Sequence, residues 1–132
     1  MISKGHYKTA FEKEWLETVV EFATESSWLE NKYGQCRAFE SHNFEVDHII
    51  GAKAKRKIIG VSCRVGELAI MPIPFALHNV ISKHPYNRTT QPGRYRKKFG
   101  HEKQVWLEMI RAMQNEGYEI PFNEETIQSI IG

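Results

Sequence analysis

Residues 44–50 read FEVDHII, and this stretch decides the expected fold. The alternation of apolar and polar residues from Phe44 to Val46 predicts a β-strand. In a regular strand, Asp47 and His48 would point to opposite faces of a sheet. A strand end or a bulge would change this, so we expect the backbone to turn at this point.

A second apolar run, residues 68–71, predicts a short buried strand. We expect Pro72 and Pro74 to end this strand. Pro74 also suits the first turn of a helix that carries His78 and continues to about Ser82. The sequence therefore predicts an α+β fold with a strand, strand and helix at its centre.

Further helices and a long loop surround this centre. Apolar spacing over residues 7–32 predicts an amphipathic helix with a break at residues 26–27, and residues 51–66 are predicted to form a long basic loop. A turn-rich segment at 85–93 is followed by two more helical patterns, the second capped by Asn123. One domain is expected, with an N-terminal helical region at 1–34, the core at 36–84, and a basic segment with C-terminal helices at 85–132.

Positive charge is concentrated in the middle of the chain. Residues 51–100 carry eleven basic side chains and one acidic one, Glu67, a balance of +10. Residues 1–50 and 101–132 each have a balance of −4. A basic segment between acidic ones is typical of a surface that binds a polyanion. A merely solvated lysine-rich surface is the weaker interpretation of so many cations with one acid.

Composition excludes several classes of protein. With 132 residues, 41% of them hydrophobic, the chain can bury a modest core and is not expected to be disordered. No apolar run approaches the ~18 residues of a membrane span. No apolar signal segment follows the first six residues, so we expect a cytoplasmic protein without a membrane partner. Cys36 and Cys63 are expected to be reduced there.

Two short stretches carry a resemblance to a known family. They are EVDHIIG at residues 45–51 and MPIPFALH at residues 71–78. Over residues 36–84 the chain resembles the ββα-metal motif of the His-Me finger (HNH) endonucleases, and it is most similar to the phage recombination-enhancing nuclease group. That group has a Pro-Leu-Cys segment before a helix histidine, and residues 72–74 and His78 stand at those positions.

The resemblance implies a role for each matched residue. Asp47 and His78 would be the protein ligands of Mg²⁺ or Mn²⁺, with water and phosphate oxygens completing the coordination shell. His48 would be the general base that takes a proton from water, a task that suits imidazole with its ordinary pKa of about 6.5. The implied activity is hydrolysis of phosphodiester bonds in DNA, in phage or mobile-element recombination or repair.

Two features depart from the family pattern. The asparagine that gives the HNH family its name is not obvious, and Glu67 and Arg64 are both candidates for its place. The zinc knuckle of many members needs two cysteine pairs, whereas this chain has Cys36 and Cys63, with His42 as a conceivable third ligand. Small buried cysteines are the favoured interpretation, and a structural Zn²⁺-binding interaction domain is the weaker alternative.

Other residues could extend the site toward a nucleic acid. His84 and Glu67 are accessory candidates, although His84 could simply end the helix. Phosphate contacts give affinity with little sequence selectivity, so a non-catalytic nucleic-acid-binding module is the alternative function. A recombination or phage protein is a conceivable further partner. The residues predicted to contact double- or single-stranded DNA are Lys53, Lys55, Arg56, Lys57, Arg88, Arg94, Arg96, Lys97 and Lys98.

Overall fold

The computed structural model describes residues 9–34, 43–50 and 65–132. Within these ranges the protein combines helices with one two-stranded antiparallel sheet, which confirms the predicted α+β class. None of these helices has both the length and the apolar character needed to cross a lipid bilayer. The elements in chain order are α1 (Ala10–Glu25), α2 (Trp28–Tyr33), β1 (Phe44–His48), α3 (Val65–Leu68), β2 (Ile70–Pro74), α4 (Phe75–His78), α5 (Pro92–Phe99), α6 (Glu102–Asn115) and α7 (Glu124–Ile131).

The two strands pair without interruption. The register runs from Phe44 opposite Pro74 to His48 opposite Ile70. No bulge therefore interrupts this pair, and β1 simply ends at His48. Of the two features expected at this point, the strand end is present and the bulge is not.

The prediction that Pro72 and Pro74 end the second strand is confirmed for Pro74, the last residue of β2, and wrong for Pro72, which lies inside the strand. The amide of Phe75 donates to the carbonyl of Asn43 at 3.0 Å, just beyond the paired residues. Bonds between antiparallel strands use alternate residues, so the two prolines fall at positions whose amides face away from β1. Their missing N–H groups therefore cost the ladder nothing, as is usual for proline at the edge of a sheet.

Several helix boundaries differ from the sequence prediction. The break at residues 26–27 is confirmed, because α1 ends before it and α2 begins after it. Helix α3 was not predicted: it contains Val65 and Gly66, which were assigned to the long loop, and it ends at Leu68, which was predicted to start the second strand. The helix after the strand ends at His78 and not near Ser82, because Asn79 has extended backbone angles (φ −73°, ψ 133°). Helix α5 was not predicted, and it starts at Pro92 inside the segment assigned to turns.

Two apolar clusters hold the sheet among the helices. The larger cluster joins α1, α3, β2, α6 and α7, and Nε1 of its Trp15 donates to the carbonyl of Leu68 at 2.9 Å. The smaller cluster joins α2, β2, α4 and α5, and includes the hydroxyls of Tyr33 and Tyr95, 2.7 Å apart. All residues of β2 are buried, whereas most of β1 is only partly buried. Glu45 and His48 of β1 are therefore partly exposed, whereas Asp47 is its buried residue, and all of them lie over the buried strand β2.

Candidate functional site

His78 lies between two carboxylates of β1. Its Nδ1 is 2.7 Å from Oε1 of Glu45, and its Nε2 is 3.2 Å from Oδ1 of Asp47. Glu45 and Asp47 are two residues apart on a strand and therefore share one face of it. An ionised carboxylate only accepts hydrogen bonds, so Nδ1 of His78 carries a proton. The structure thus brings together Asp47 and His78, the two predicted cation ligands.

Arg88 binds the second oxygen of Asp47. Its Nη2 donates to Oδ2 of Asp47, and its Nη1 donates to Oε1 of Glu102 at 3.1 Å. Nε of Arg96 donates to both oxygens of Glu102, at 3.0 and 3.1 Å. Asp47 and Glu102 are only 8% and 2% exposed, so these contacts compensate charges that are largely removed from water. Oδ1 of Asp47 remains directed at the histidine.

His48 lies on the other side of β1. Its Nε2 is 3.3 Å from Oε1 of Glu67, a buried side chain of α3. This pair lacks the alignment of a hydrogen bond, and Nε2 makes none to any other described residue. Of the two candidates for the place of the HNH asparagine, Glu67 therefore contacts the predicted base, while Arg64 falls outside the described residues.

The turn after α4 holds the helix histidine in place. Oγ1 of Thr89 donates to the carbonyl of His78 at 2.5 Å. Nδ2 of Asn87, which is fully buried, donates to the carbonyls of Ala76 at 3.0 Å and Asn79 at 2.9 Å. A single-turn helix leaves its carbonyls unpaired, and these side chains supply the missing donors. The same turn carries the arginine that binds the strand carboxylate.

The charges of the site shift each other's pKa. The hydrogen bond to Asp47 raises the pKa of His78 above its ordinary 6.5; burial opposes this rise and Glu45 adds to it. Burial by itself would raise the pKa of Asp47, but the hydrogen bonds from His78 and Arg88 outweigh it and lower the pKa below 3.8. Burial by itself would lower the pKa of Arg88, but the charge and the hydrogen bond of the Asp47 carboxylate outweigh this effect, and the pKa is raised. Each group therefore stabilises the charged form of its neighbour.

The contact between His78 and Asp47 fits a shared cation. If Nε2 is deprotonated, it presents a lone pair to Oδ1, and two acceptors 3.2 Å apart need a proton or a cation between them. Neighbouring ligands of an octahedral cation with bonds of about 2.1 Å lie about 3.0 Å apart. Glu45 supplies the carboxylate that commonly accepts the other ring N–H of a ligating histidine.

Two protein ligands would leave most of the coordination shell to other molecules. Across residues 9–34, 43–50 and 65–132, no three His, Cys, Asp or Glu side chains converge on one cation position. A cation held by Asp47 and His78 would therefore take its remaining ligands from water and substrate, which suits Mg²⁺. The zinc alternative cannot be placed, because Cys36, His42 and Cys63 fall outside the described residues.

The residues predicted to bind DNA fall into three groups. Those at 53–57 lie outside the described residues. Arg88 and Arg96 are bound to the buried carboxylates of the site, and the prediction that they contact phosphate stays a prediction. The others are exposed on α5, where they line a groove of about 430 Å³ together with Pro85 and Tyr86; they are Arg94, Lys97 and Lys98.

His84 belongs to an adjoining groove of about 400 Å³ that also includes Lys83 and Arg94. Its Nδ1 accepts the amide of Tyr86 at 3.1 Å, and the two rings are 5.9 Å apart. Because α4 ends at His78, His84 does not end that helix. These contacts tie His84 to the basic grooves beside α5.

Two residues of the site had no role assigned from the sequence. Glu45 holds His78, and Glu102 holds both Arg88 and Arg96. Strand alternation could have found Glu45, since it is two residues before Asp47 in the same strand. Glu102 begins a helix far along the chain, and no local pattern connects it with the strand.

No family model, no curated protein and no solved structure matches the chain.

Proposed function

We propose that the protein is a metal-dependent endonuclease of the HNH type, which hydrolyses phosphodiester bonds in DNA. The observation that carries this proposal is His78, which is held at Nδ1 by Glu45 and directs Nε2 at Asp47. A mixed imidazole and carboxylate pair suits Mn²⁺ and, with water in the other positions, Mg²⁺. The antiparallel pair of β1 and β2 followed directly by α4, and the resemblance of residues 45–51 and 71–78, support the same assignment. The resemblance also directs the proposal toward recombination or repair.

The residues divide the chemistry between them. Asp47 and His78 would hold the cation, whose charge stabilises the negative charge that develops on the phosphate and leaving oxygen. His48, at the end of β1, takes a proton from a water whose oxygen forms a bond to phosphorus. The ester P–O bond breaks, and the leaving oxygen takes a proton from solvent. Glu67, 3.3 Å from Nε2, stabilises the imidazolium that forms and orients the ring.

A non-catalytic nucleic-acid-binding module is the second candidate. The observation that favours it is the bond from Arg88 to Oδ2 of Asp47, which compensates the carboxylate without a cation. In this function the ion pairs of Asp47 and Glu102 would be structural, and the exposed cations of α5 would supply the affinity.

A plasmid-nicking assay separates the two functions. The purified protein is incubated with supercoiled plasmid or single-stranded DNA in Mg²⁺, Mn²⁺ or EDTA, alongside His48→Ala. His101→Asn is the matched control, because it removes a histidine that has no part in cation binding or proton transfer in this proposal and keeps an N-cap for α6. We expect nicking by the wild type and the control only with a divalent cation, and DNA binding by all three. Equal nicking by His48→Ala, or no nicking at high protein concentration, would reject the nuclease.

A further inference from the structure

An apolar turn lies directly after the candidate site. Val80 and Ile81 are 66% and 75% exposed, and no other large hydrophobic residue in the described ranges exposes more than half of its surface. Single exposed apolar residues are common, but two adjacent ones at the tip of a turn form a small apolar surface that a partner can cover.

The turn is held in place by the residue that joins it to the site. Oδ1 of Asn79 accepts the amide of Ile81 at 3.0 Å, and its carbonyl accepts the amide of Ser82 at 3.0 Å. The same carbonyl accepts Nδ2 of Asn87 at 2.9 Å. Nδ2 of Asn79 lies 3.4 Å from Oε2 of Glu45, the carboxylate that orients the site histidine. The apolar tip is therefore presented by an ordered turn fixed to the site.

Positive charge surrounds this tip. Val80 forms part of the wall of the groove of about 400 Å³ that includes Lys83 and Arg94. Arg94 and Pro85 also line the neighbouring groove of about 430 Å³, so the two grooves adjoin each other. The second groove adds Lys97 and Lys98. Among the described residues that line either groove there is no acidic side chain. An apolar tip beside two adjoining cationic grooves is complementary to stacked bases attached to a phosphate backbone.

We propose that the Val80–Ile81 turn inserts between the bases of bound DNA while Lys83, Arg94 and the other cations of the grooves bind its phosphates. This inference rests on the proposed function, because it assigns a class of substrate to that site: a duplex that is readily unstacked. Three peptide units separate His78 from Ile81, so their Cα atoms are at most about 11 Å apart. That is about three base steps at ~3.4 Å each, so the insertion falls close to the bond that is cut. Aliphatic wedges of this kind unstack a base step and kink the duplex.

The experiment measures binding in EDTA, so that it does not depend on cleavage. The full-length protein is titrated into a matched duplex and into the same duplex with a short mismatched segment, each carrying 2-aminopurine at the centre. Affinity is read by anisotropy and base unstacking by 2-aminopurine fluorescence. The variant is the double substitution Val80→Ser and Ile81→Ser. Val20→Ser is the matched control, because Val20 is an exposed aliphatic residue of α1 that lies away from this turn in sequence.

We expect the wild type to bind the mismatched duplex about tenfold more tightly than the matched one and to raise its fluorescence. The double variant should lose this preference and the fluorescence change, keep its affinity for the matched duplex, and keep its Tm. Val20→Ser should behave as the wild type.

Other results overturn the insertion, and they differ from the results that overturn the nuclease. A double variant that binds and unstacks both duplexes like the wild type rejects the insertion, even if the protein nicks plasmid. A double variant that changes only the oligomeric state in light scattering also rejects it, because the turn is then a contact between copies of the chain. A protein that unstacks DNA through this turn but never nicks it keeps the insertion and rejects the nuclease.

Discussion

The two faces of β1 differ in how firmly their side chains are held. On one face, Glu45 and Asp47 bind a histidine and an arginine, and the arginine continues to Glu102. On the other face, His48 has Glu67 at 3.3 Å, and its Nε2 makes no hydrogen bond to a described residue. A cation site needs ligands that are fixed before the cation arrives, whereas a base must gain and lose a proton without disturbing the fold. The difference between the faces therefore matches a division between cation binding and proton transfer.

The largest expected effect separates activity from stability. His48→Ala should lower the rate of DNA cleavage by about 10²- to 10⁴-fold, the usual contribution of a general base. The Tm and the affinity for Mn²⁺ should stay at their wild-type values, because the described contacts of His48 do not include the cation ligands. Single-turnover cleavage, thermal unfolding and calorimetric Mn²⁺ titration measure the three quantities. A clear loss of Tm in this variant would remove the distinction between the two faces.

The neighbouring residue should show the opposite pattern. Asp47→Ala should abolish Mn²⁺ binding and also destabilise the fold by about 2 kcal/mol, because it leaves the guanidinium of Arg88 with half its carboxylate partners. Urea unfolding at neutral pH in EDTA measures the stability.

The double variant Asp47→Ala with Arg88→Ala is the control for that interpretation. It removes the unpaired charge, so it should recover part of the lost stability without recovering Mn²⁺ binding. If Asp47→Ala, Arg88→Ala and the double variant all unfold at the same urea concentration as the wild type, the Asp47–Arg88 ion pair does not stabilise the fold.

A third comparison replaces one carboxylate by an amide on each face of β1. Glu45→Gln should weaken Mn²⁺ affinity by about tenfold, since a carboxylate that orients a ligating histidine typically contributes this much or more. Glu67→Gln should leave Mn²⁺ affinity unchanged and lower the cleavage rate, because Glu67 lies 3.3 Å from Nε2 of His48, the proposed base. Calorimetry and the nicking assay distinguish the two variants. If both substitutions changed the Mn²⁺ affinity and the cleavage rate to the same extent, the two faces of β1 would not have separate roles in cation binding and proton transfer.

Local patterns in the sequence predicted the strand and the helix that carry Asp47 and His78, whereas the pairing of these two residues was implied by the family resemblance. The strand of residues 44–48 and the helix histidine were predicted from alternation and from the position of Pro74. The structure brings Asp47 and His78 into contact as that order requires. The alternation of β1 also predicts that Glu45 shares the face of Asp47, but no role was assigned to Glu45 from the sequence.

Other parts of the molecule depend on contacts that no local pattern reveals. Glu102 reaches Arg88 across fourteen positions of sequence, and the cost of burying it is offset only in the folded chain. Helix α5 was missed because its turn-forming residues, Pro92 and Gly93, outweighed the apolar pair of Tyr95 and Phe99 at helical spacing. Pro72 was wrongly predicted to end β2, because the effect of a proline depends on which amides the partner strand needs.

The smallest expected effect concerns the pH dependence of the face of β1 that carries Asp47 and contacts His78. The raised pKa of His78 means that the folded protein binds this proton more tightly than the unfolded chain, so the extra stability is complete below pH 6.5 and is lost as the pH rises through the raised value. The lowered pKa of Asp47 acts in the other direction: its contribution is present above pH 3.8 and is lost as the pH falls through the lowered value. In EDTA, His78 and Asp47 therefore contribute most to the free energy of unfolding above pH 3.8 and below pH 6.5.

Between about pH 6 and pH 9, the Tm of the wild type in EDTA should fall by about 2–4 °C more than that of His78→Gln. Adding Mn²⁺ at the higher pH should restore the wild type and not the variant, because the cation then takes the place of the proton between Nε2 and Oδ1. Differential scanning calorimetry across this pH range is the measurement. Stabilisation by Mn²⁺ that is greater below the ordinary pKa of histidine than above it would mean that proton and cation do not compete. The cation would then bind somewhere other than between Asp47 and His78.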